Sequence, residues 1–239
     1  MPASGAVNRS TLRQQIAGAL RDEVLAGRMR PRTEFTVKQI AEQYGVSATP
    51  VREALFDLSA QGLLESDQHR GFRVREFSVT DYRAMVEARA LVLDGVFRAV
   101  FEGADPDAVR TGEHAAALAS VRRRAEEAAR AVRVGDLDIL IGYDLRFWRE
   151  LGAFFGNPYI ADFMHRLRVQ AWVFAVPYLR GDADVCDWLW NGHQELVEAL
   201  TARDTAAVRS VLDAYHAHGL NWADRLAAGD PPHPGHGTA

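Results

Sequence analysis

The chain contains very little cysteine and lysine, and it has no long apolar run. Cys186 is the only cysteine and Lys38 the only lysine among 239 residues. A single cysteine cannot form an internal disulfide. The sequence shows neither a cleavable apolar leader nor an uninterrupted apolar run of about 18 residues, the length needed to span a bilayer. These absences predict a cytoplasmic protein in a reducing compartment, without a membrane partner.

The charge is acidic overall but unevenly distributed. The net charge of -4 argues against a generic polyanion binder. Residues 1–76 carry 11 basic and 9 acidic side chains, whereas the rest of the chain carries 17 basic and 23 acidic ones. A weakly basic N-terminal part on an acidic body fits local attraction to phosphate groups. With 48% hydrophobic residues, the chain is long enough for two modest domains.

The sequence pattern changes near residue 78, which predicts a domain boundary. Residues 10–77 combine short helical periods with turns, whereas residues 79–228 are long and helical. Ser78 and Asp81 fit a capping box at the start of the second domain. Residues 229–239 are rich in proline and glycine, so they are predicted to form a disordered tail.

The first domain contains three helical patterns separated by tight turns. The first helix is expected to stop at Gly27. The second begins at a capping box of Thr36 and Gln39 and ends at Gly45, which adopts a left-handed conformation at little energetic cost. Ser47 is expected to cap the third helix. Two helices joined by a short turn that contains glycine form a helix-turn-helix.

Two short strands follow the third helix. They are expected over residues 63–66 and 71–75, with a polar and basic loop at 67–70 between them. This arrangement is typical of a wing. The expected fold class is mainly α, with an N-terminal winged helix-turn-helix and a C-terminal all-α antiparallel helical bundle.

Several segments resemble a known family. In the first domain they are LRDEVLAG at residues 20–27, GVSATPVREAL at 45–55, GLL at 62–64 and GFRV at 71–74. Their order and spacing resemble the winged helix of the GntR family of transcriptional regulators. The second domain resembles the FCD ligand domain of the FadR-like subfamily. The segments that carry this likeness are EAR at 87–89, YDLRF at 143–147 and GNP at 156–158, together with His193 and Asp204.

The resemblance implies a sequence-specific DNA-binding regulator without enzymatic activity. Such proteins bind a palindromic operator as homodimers and respond to a small-molecule effector, most commonly as repressors that the effector releases. The resemblance, with the geometry of helix-turn-helix docking, indicates seven DNA-binding residues. They are Lys38, Ser47, Thr49, Arg52, His69, Arg70 and Gly71.

Arg52 is the leading candidate for base recognition. An arginine fork binds guanine O6 and N7, a contact worth roughly 1–3 kcal/mol of discrimination. The alternative is a surface ion pair of Arg52 with Glu53 or Asp57. The sequence departs from the family at Ala48, where arginine is usual, and at Arg32, where glycine is usual. The operator is therefore expected to differ from the family consensus.

The second domain has polar residues at positions where the helical period demands apolar ones. A buried charge must be paired or must bind something, and one shared cavity would satisfy this. The candidate effector-binding residues are Arg89, Asp144, Trp148, His193 and Tyr215. A guanidinium in a cavity suits a carboxylate effector, although Asp144 could pair with Arg89 instead. Asp144 and His193 could also be a buried structural pair, and Trp148 a core aromatic residue.

The resemblance also raises the question of a metal ion. The FCD cavity often holds a divalent metal, bound by an aspartate, a histidine four residues later and two further histidines. Asp144 and His193 match two of these positions, whereas Trp148 and Tyr215 stand at or near the other two, and tryptophan cannot ligate a metal. An incomplete site for Zn, Ni or Mn stays possible. Its candidate ligands are Asp144 and His193 with one of Tyr215, His216 or His218.

Two other classes of protein fit the sequence less well. A metal-dependent hydrolase would use the same Asp and His cavity, but the sequence contains no nucleophile–base pair and no Gly-rich phosphate loop. A purely architectural DNA-binding protein would need the polar cavity residues only to hold the bundle together. A ligand-induced rise in thermal stability would separate a sensor from such a protein.

Overall fold

The computed structural model describes residues 5–67, 70–102, 112–154, 156–180, 182 and 184–229. The chain divides into two compact units, Met1–Phe77 and Ser78–Ala239. The predicted disordered tail lies outside the described residues from residue 230 onward.

The first unit is a three-helix domain with a small sheet. Its elements are α1 (Gly5–Leu25), β1 (Glu34–Phe35), α2 (Val37–Tyr44), α3 (Ala48–Ala60), β2 (Leu64–Asp67) and β3 (Gly71–Val74). The sheet has the order β1-β3-β2 with both pairs antiparallel. The predicted winged helix-turn-helix is confirmed, but β1 was not predicted, because two residues are too few to show strand periodicity.

The turn between α2 and α3 follows from local chemistry. Thr36 and Gln39 form the expected capping box, and Gly45 has a φ of 64°. Ser47 occupies the N-cap of α3, but its side chain accepts no hydrogen bond there. Pro50, the third residue of α3, has no backbone N–H and cannot be the donor for such a cap. The Ser47 hydroxyl therefore stays exposed.

The core of the first unit lies between α1, α3 and the sheet. Leu20, Val51, Leu55, Leu58 and Leu63 are each no more than 2% exposed. Burying a leucine or valine side chain completely contributes about 1.5–3 kcal/mol. This packing fixes α3 so that its opposite face is presented to solvent.

The second unit is an all-helical bundle, as predicted. Its α-helices are α4 (Val79–Phe97), α5 (Gly112–Val134), α6 (Leu137–Ala153), α7 (Pro158–Leu179), α8 (His193–Ala202) and α9 (Thr205–Ala227). A π-helical turn at Arg98–Glu102 extends α4, and a 3-10 turn at Val185–Trp188 precedes α8. Helix α4 packs on α7 and α9, α6 packs on α5 and α7, and α8 packs on α5 and α9.

Side-chain caps fix where several of these helices begin. Ser78 and Asp81 form the predicted capping box of α4. Asp136, Asn157 and Asp204 accept backbone hydrogen bonds at the starts of α6, α7 and α9. Each such cap stabilises a helix by about 1 kcal/mol. Among the described helices, none combines the length and hydropathy needed to cross a membrane.

Candidate effector cavity and DNA-reading surface

A cavity of about 90 Å³ opens inside the second unit. It is bounded by α4, α6, α7, α9 and the segment that leads into α8. The polar residues in its wall are Tyr82, Arg89, Asp144, Arg168, Trp172, Trp188, Trp190, His193, Tyr215, His218 and Trp222. Leu140, Ala171, Ala175, Leu179, Leu189 and Gly219 complete the lining. Four of the predicted effector-binding residues therefore share one cavity.

Asp144 is surrounded by N–H groups. The indole N–H of Trp148 donates to its Oδ1 at 3.0 Å, and the indole N–H of Trp172 donates to its Oδ2 at 2.7 Å. His193 Nε2 lies 2.9 Å from Oδ1, and Arg168 Nη1 lies 3.7 Å from Oδ2. The carboxylate is 6% exposed. The predicted Asp144–His193 pair is therefore present as part of a larger network.

The electrostatics keep Asp144 ionised. Burial alone would raise its pKa, but Arg168, His193 and the Trp172 hydrogen bond outweigh burial and lower the pKa of Asp144 to about 2. Burial prevails at Tyr82, another residue of the cavity wall, where it raises the pKa to about 12. Burial also lowers the pKa of His218, which favours its neutral form.

The Tyr215 hydroxyl joins two arginines on the other side of the cavity. Arg89 Nη1 donates to it at 2.6 Å and Arg168 Nη1 donates to it at 2.5 Å. The Arg89 guanidinium also lies 3.9 Å from the centre of the Tyr215 ring. The sequence had allowed an ion pair between Arg89 and Asp144, but the structure does not contain it. Arg168 occupies that place, because α7 rather than α4 lies against the carboxylate.

Arg89 lacks a carboxylate partner within the described part of the chain. It is 7% exposed, and its hydrogen-bond acceptor there is the hydroxyl of Tyr215. Burial lowers the pKa of its guanidinium and the like charge of Arg168 acts in the same direction, whereas Tyr215 and Asp144 oppose this shift. Gly219 makes room for the side chain, since a Cβ there would lie 3.2 Å from Arg89 Nη2. The cavity therefore contains a buried guanidinium that forms no ion pair with a described carboxylate.

Two predicted residues lie elsewhere than expected. Trp148 does not line the cavity: it lies behind Asp144, where it stacks on Tyr215 at 5.1 Å. The hydrogen bond from the indole N–H of Trp148 to the carboxylate of Asp144 holds the ring there. His216 lines a separate pocket between α4 and α9, because one residue along a helix turns the side chain by about 100°. His218, one turn after Tyr215, does line the cavity.

Arg168 was not predicted from the sequence. It lies on one face of α7 with Trp172, Ala175 and Leu179, all of which line the cavity. Their spacing of four, three and four residues is the same signal that revealed Arg89. The signal was hidden because α7 also buries Val169, Val173 and Val176, so apolar residues surround the helix.

The residues present do not fit a divalent metal ion. Both oxygens of Asp144 already accept indole N–H groups, and an arginine lies beside them. A metal-bound histidine normally donates its second ring N–H to a partner, whereas His193 Nδ1 has none. Among the residues that the structure describes, no group of three or more His, Cys, Asp or Glu side chains could hold a metal.

The exposed face of α3 carries the candidate base-reading residues. Ser47, Thr49 and Arg52 are all exposed at its N-terminal end. The alternative role of Arg52 as an ion-pair partner finds no support, because Asp57 pairs with Arg13 at 3.1 Å. In the described part of this unit, no ion pair involves Arg52.

The remaining DNA-binding candidates lie on α2 and in the wing. Lys38 is 85% exposed and lies 3.8 Å from Glu42. Arg70 lies 3.9 Å from Glu34, and His69 falls outside the described residues. Gly71 has a φ of 96°, and a Cβ there would lie 2.6 Å from the carbonyl oxygen of Phe35. Close packing of the sheet alone is sufficient to require glycine at this position, without any contact to DNA.

Each of the two units matches the model of a known protein family. The model of the bacterial regulatory proteins of the gntR family matches residues 7–74, and the FCD domain model matches residues 84–218. The chain belongs to the GntR family. The GntR protein is therefore a DNA-binding transcriptional regulator with an FCD effector-binding domain, which confirms the predicted family and the predicted role as a transcriptional regulator.

Individual relatives match different shares of the chain. The HTH-type transcriptional regulator McbR of Escherichia coli is 26% identical over 219 residues, which cover 89% of this chain and 92% of that protein. A "Probable D-xylose utilization operon transcriptional repressor" of Paenarthrobacter nicotinovorans is 38% identical over 90 residues, but the match spans only 39% of its length. These relatives are named as transcriptional regulators and not as enzymes.

Two solved structures support the fold. That of E. coli McbR/YncC has a TM-score of 0.68 at 22% identity and covers 90% of this chain and 98% of the other. A GntR regulator from Rhodococcus sp. RHA1 also has a TM-score of 0.68 at 22% identity, covering 90% of this chain and 97% of the other. At this level of identity the likeness concerns the fold alone.

Proposed function

We propose that this GntR protein is a cytoplasmic repressor whose operator affinity is controlled by a small organic carboxylate. One observation carries the assignment of the effector: the buried Arg89 guanidinium lines the cavity, and no described carboxylate pairs with it. The printed name of the Paenarthrobacter relative, a repressor, supports the direction of regulation.

The charge balance of the cavity favours an anion. Arg89 and Arg168 bring two positive charges, and Asp144 brings one negative charge. Arg168 already lies beside Asp144, so Arg89 is the cation that an effector would neutralise. A buried charge without its partner is expensive by several kcal/mol, and a carboxylate matches the guanidinium fork with two hydrogen bonds. A monocarboxylate therefore fits better than a neutral ligand or a cation.

The cavity volume limits the size of the enclosed part of the effector. A dry cavity of about 150 Å³ accommodates benzene, with six non-hydrogen atoms. The cavity of about 90 Å³ should then enclose about four non-hydrogen atoms by the same scaling. This corresponds to a carboxylate group with one or two further carbon atoms. The aromatic wall of Trp172, Trp188 and Trp222 would pack on the apolar part.

A thermal-shift titration tests the assignment of the effector. Acetate, propionate, lactate and butyrate would be compared with the corresponding uncharged amides. We expect at least one carboxylate to raise the Tm of the wild-type protein, because a ligand that binds only the folded state stabilises it. The amides should have no effect. Arg89→Ala should abolish the shift, and Arg124→Ala, which removes an ion pair with Glu150 outside the cavity, should retain it.

The results of this titration test separately the chemical class of the effector and the residue that binds it. An equal shift by carboxylates and amides would contradict recognition through Arg89. A carboxylate shift that survives in a folded Arg89→Ala variant would place the anchor elsewhere.

At the DNA, we propose that α3 enters the major groove of each half-site of a palindromic operator. Ser47, Thr49 and Arg52 would face base edges there, as the N-terminal residues of a recognition helix do. Lys38 would contact a phosphate, and Arg70 would reach the minor groove from the wing. One such domain would bind weakly at physiological salt, so a homodimer on two half-sites is the expected assembly.

Selection of bound fragments from the source genome by the purified protein tests the proposed role at DNA. A palindromic site beside an operon of carboxylate metabolism or transport would support the proposal and identify the operator. A folded protein that enriches no fragment above background, with and without the carboxylates above, would refute sequence-specific binding.

A further inference from the structure

The positions at which the resemblance expects metal ligands converge on one side chain, Arg168. Its guanidinium lies 3.7 Å from the carboxylate of Asp144 and donates to the hydroxyl of Tyr215 at 2.5 Å. It also lies 4.1 Å from the centre of the Trp148 ring. Arg168 thus contacts the residues at three of the four positions, and His193, at the fourth, contacts Asp144.

The replacement of the expected ligands matches this placement. A metal site needs lone pairs that point at the ion, but tryptophan offers only an N–H and an aromatic face. The guanidinium of Arg168 covers the face of Trp148. An aromatic face attracts a cation but offers no lone pair that could ligate a metal. The hydroxyl of Tyr215 accepts from two guanidiniums, Arg89 and Arg168. Each substituted position is therefore suited to bind an arginine.

The burial of Arg168 shows that this cation is part of the interior. Its side chain is 4% exposed, similar to that of Asp144. A buried ion pair of this kind is tolerated when the geometry is good and further hydrogen bonds satisfy both groups. Here the carboxylate has two indole donors and the guanidinium has a phenol acceptor.

We propose that Arg168 is a built-in cation that takes the place of the divalent metal in this FCD cavity. The domain then folds and senses its effector without a metal. Arg168 and Arg89 together give the cavity two fixed positive charges that no chelator can remove. This inference concerns how the cavity is held together and does not depend on which effector binds.

The first test uses the full-length wild-type protein. After purification without added metal, its metal content is measured, and its Tm is recorded with EDTA and with Zn²⁺, Ni²⁺ or Mn²⁺. We expect much less than one metal ion per chain and a Tm that none of these additions changes. Stoichiometric metal that resists dialysis, together with a Tm that EDTA lowers and the metal restores, would overturn the proposal.

The second test restores what the arginine is proposed to replace. Arg168→Ala should lower the Tm, because it leaves the carboxylate of Asp144 buried without its cation. Millimolar methylguanidinium should recover part of this loss in Arg168→Ala, and it should have no such effect on the wild type or on Arg124→Ala. A loss that methylguanidinium does not recover in a folded variant would contradict a role as a cation.

A triple variant provides a gain-of-function test that does not rely on rescue. Arg168→Ala combined with Trp148→His and Tyr215→His opens the centre and supplies imidazoles beside Asp144 and His193. We expect Zn²⁺ or Ni²⁺ to raise the Tm of this variant and not that of Trp148→His with Tyr215→His alone, where Arg168 still occupies the centre. Equal metal stabilisation in both variants would show that Arg168 does not occupy the metal position.

Discussion

The ionisation of Asp144 should make a measurable contribution to the stability of the second unit. Its pKa is about 2 in the folded protein, against 3.8 for the unperturbed side chain. Burial opposes this shift, and Arg168, His193 and Trp172 produce it. A group whose pKa is lowered by folding stabilises the protein above its unfolded pKa, and this contribution is lost as the pH falls towards the folded pKa. The shift corresponds to about 2 kcal/mol at neutral pH.

The perturbation is Asp144→Asn, which removes the negative charge at every pH. It leaves Arg168 buried without its carboxylate and places an amide NH2 group where one oxygen accepted an indole N–H. The expected loss of unfolding free energy at pH 7 is about 3–5 kcal/mol, the usual effect of breaking a buried pair. Linkage then predicts that wild type loses about 1 kcal/mol of this advantage between pH 7 and pH 3, and about twice that by pH 2.

Urea unfolding followed by tryptophan fluorescence measures both effects. All five tryptophans lie in the second unit, so the signal reports on that unit. The matched control is Asp138→Asn on the same helix, since the Asp138 side chain is 63% exposed and pairs with Arg180 at the surface. This control should change stability by no more than about 1 kcal/mol. A difference between wild type and Asp144→Asn that stays constant from pH 7 to pH 3 would refute the reasoning.

Further predictions concern the first unit. Arg52→Ala should reduce operator affinity about 5- to 150-fold per half-site, with little effect on binding to non-specific DNA. Lys38→Ala should weaken binding to both DNAs and reduce the slope of log affinity against log salt by about 1. Competition binding at several salt concentrations distinguishes the two variants, and an equal loss on both DNAs in Arg52→Ala would argue against base reading by Arg52. Gly71→Ala should destabilise the unit clearly more than Gly45→Ala, because both place alanine at a positive φ but only the Cβ at residue 71 would meet a backbone atom, the carbonyl oxygen of Phe35. Thermal unfolding of the two variants tests this, and equal losses would contradict it.

The elements of the fold that depend on local sequence could be predicted. The capping boxes at Thr36 and Ser78 determine helix starts through residues three positions apart, and both are present. The glycine expected before α2 by family resemblance is Arg32 in this chain, and the structure shows why glycine is usual there: Arg32 has a φ of 65°. Its side chain forms a largely exposed ion pair with Glu76.

The site could be predicted only in part, because helix packing decides partners that are distant in sequence. Helical spacing identified Arg89 and Asp144 as polar residues on apolar faces. It could not tell which arginine meets the carboxylate, since that depends on α7 rather than α4 lying against α6. It also could not show that Trp148 turns its ring behind Asp144. The direction of this ring depends on its hydrogen bond to Asp144 as well as on its position along the helix.

Coupling between the cavity and the operator obeys a constraint that can be tested without knowing the structural path. If a carboxylate weakens operator binding by a given factor, the operator must weaken carboxylate binding by the same factor. Titrating the carboxylate against free protein and against the operator complex measures both sides of this equality. In Arg89→Ala the two effects should disappear together. A carboxylate that binds free and operator-bound protein equally well would occupy the cavity without controlling the regulator, which would refute the proposed repression mechanism while leaving Arg89 as its anchor.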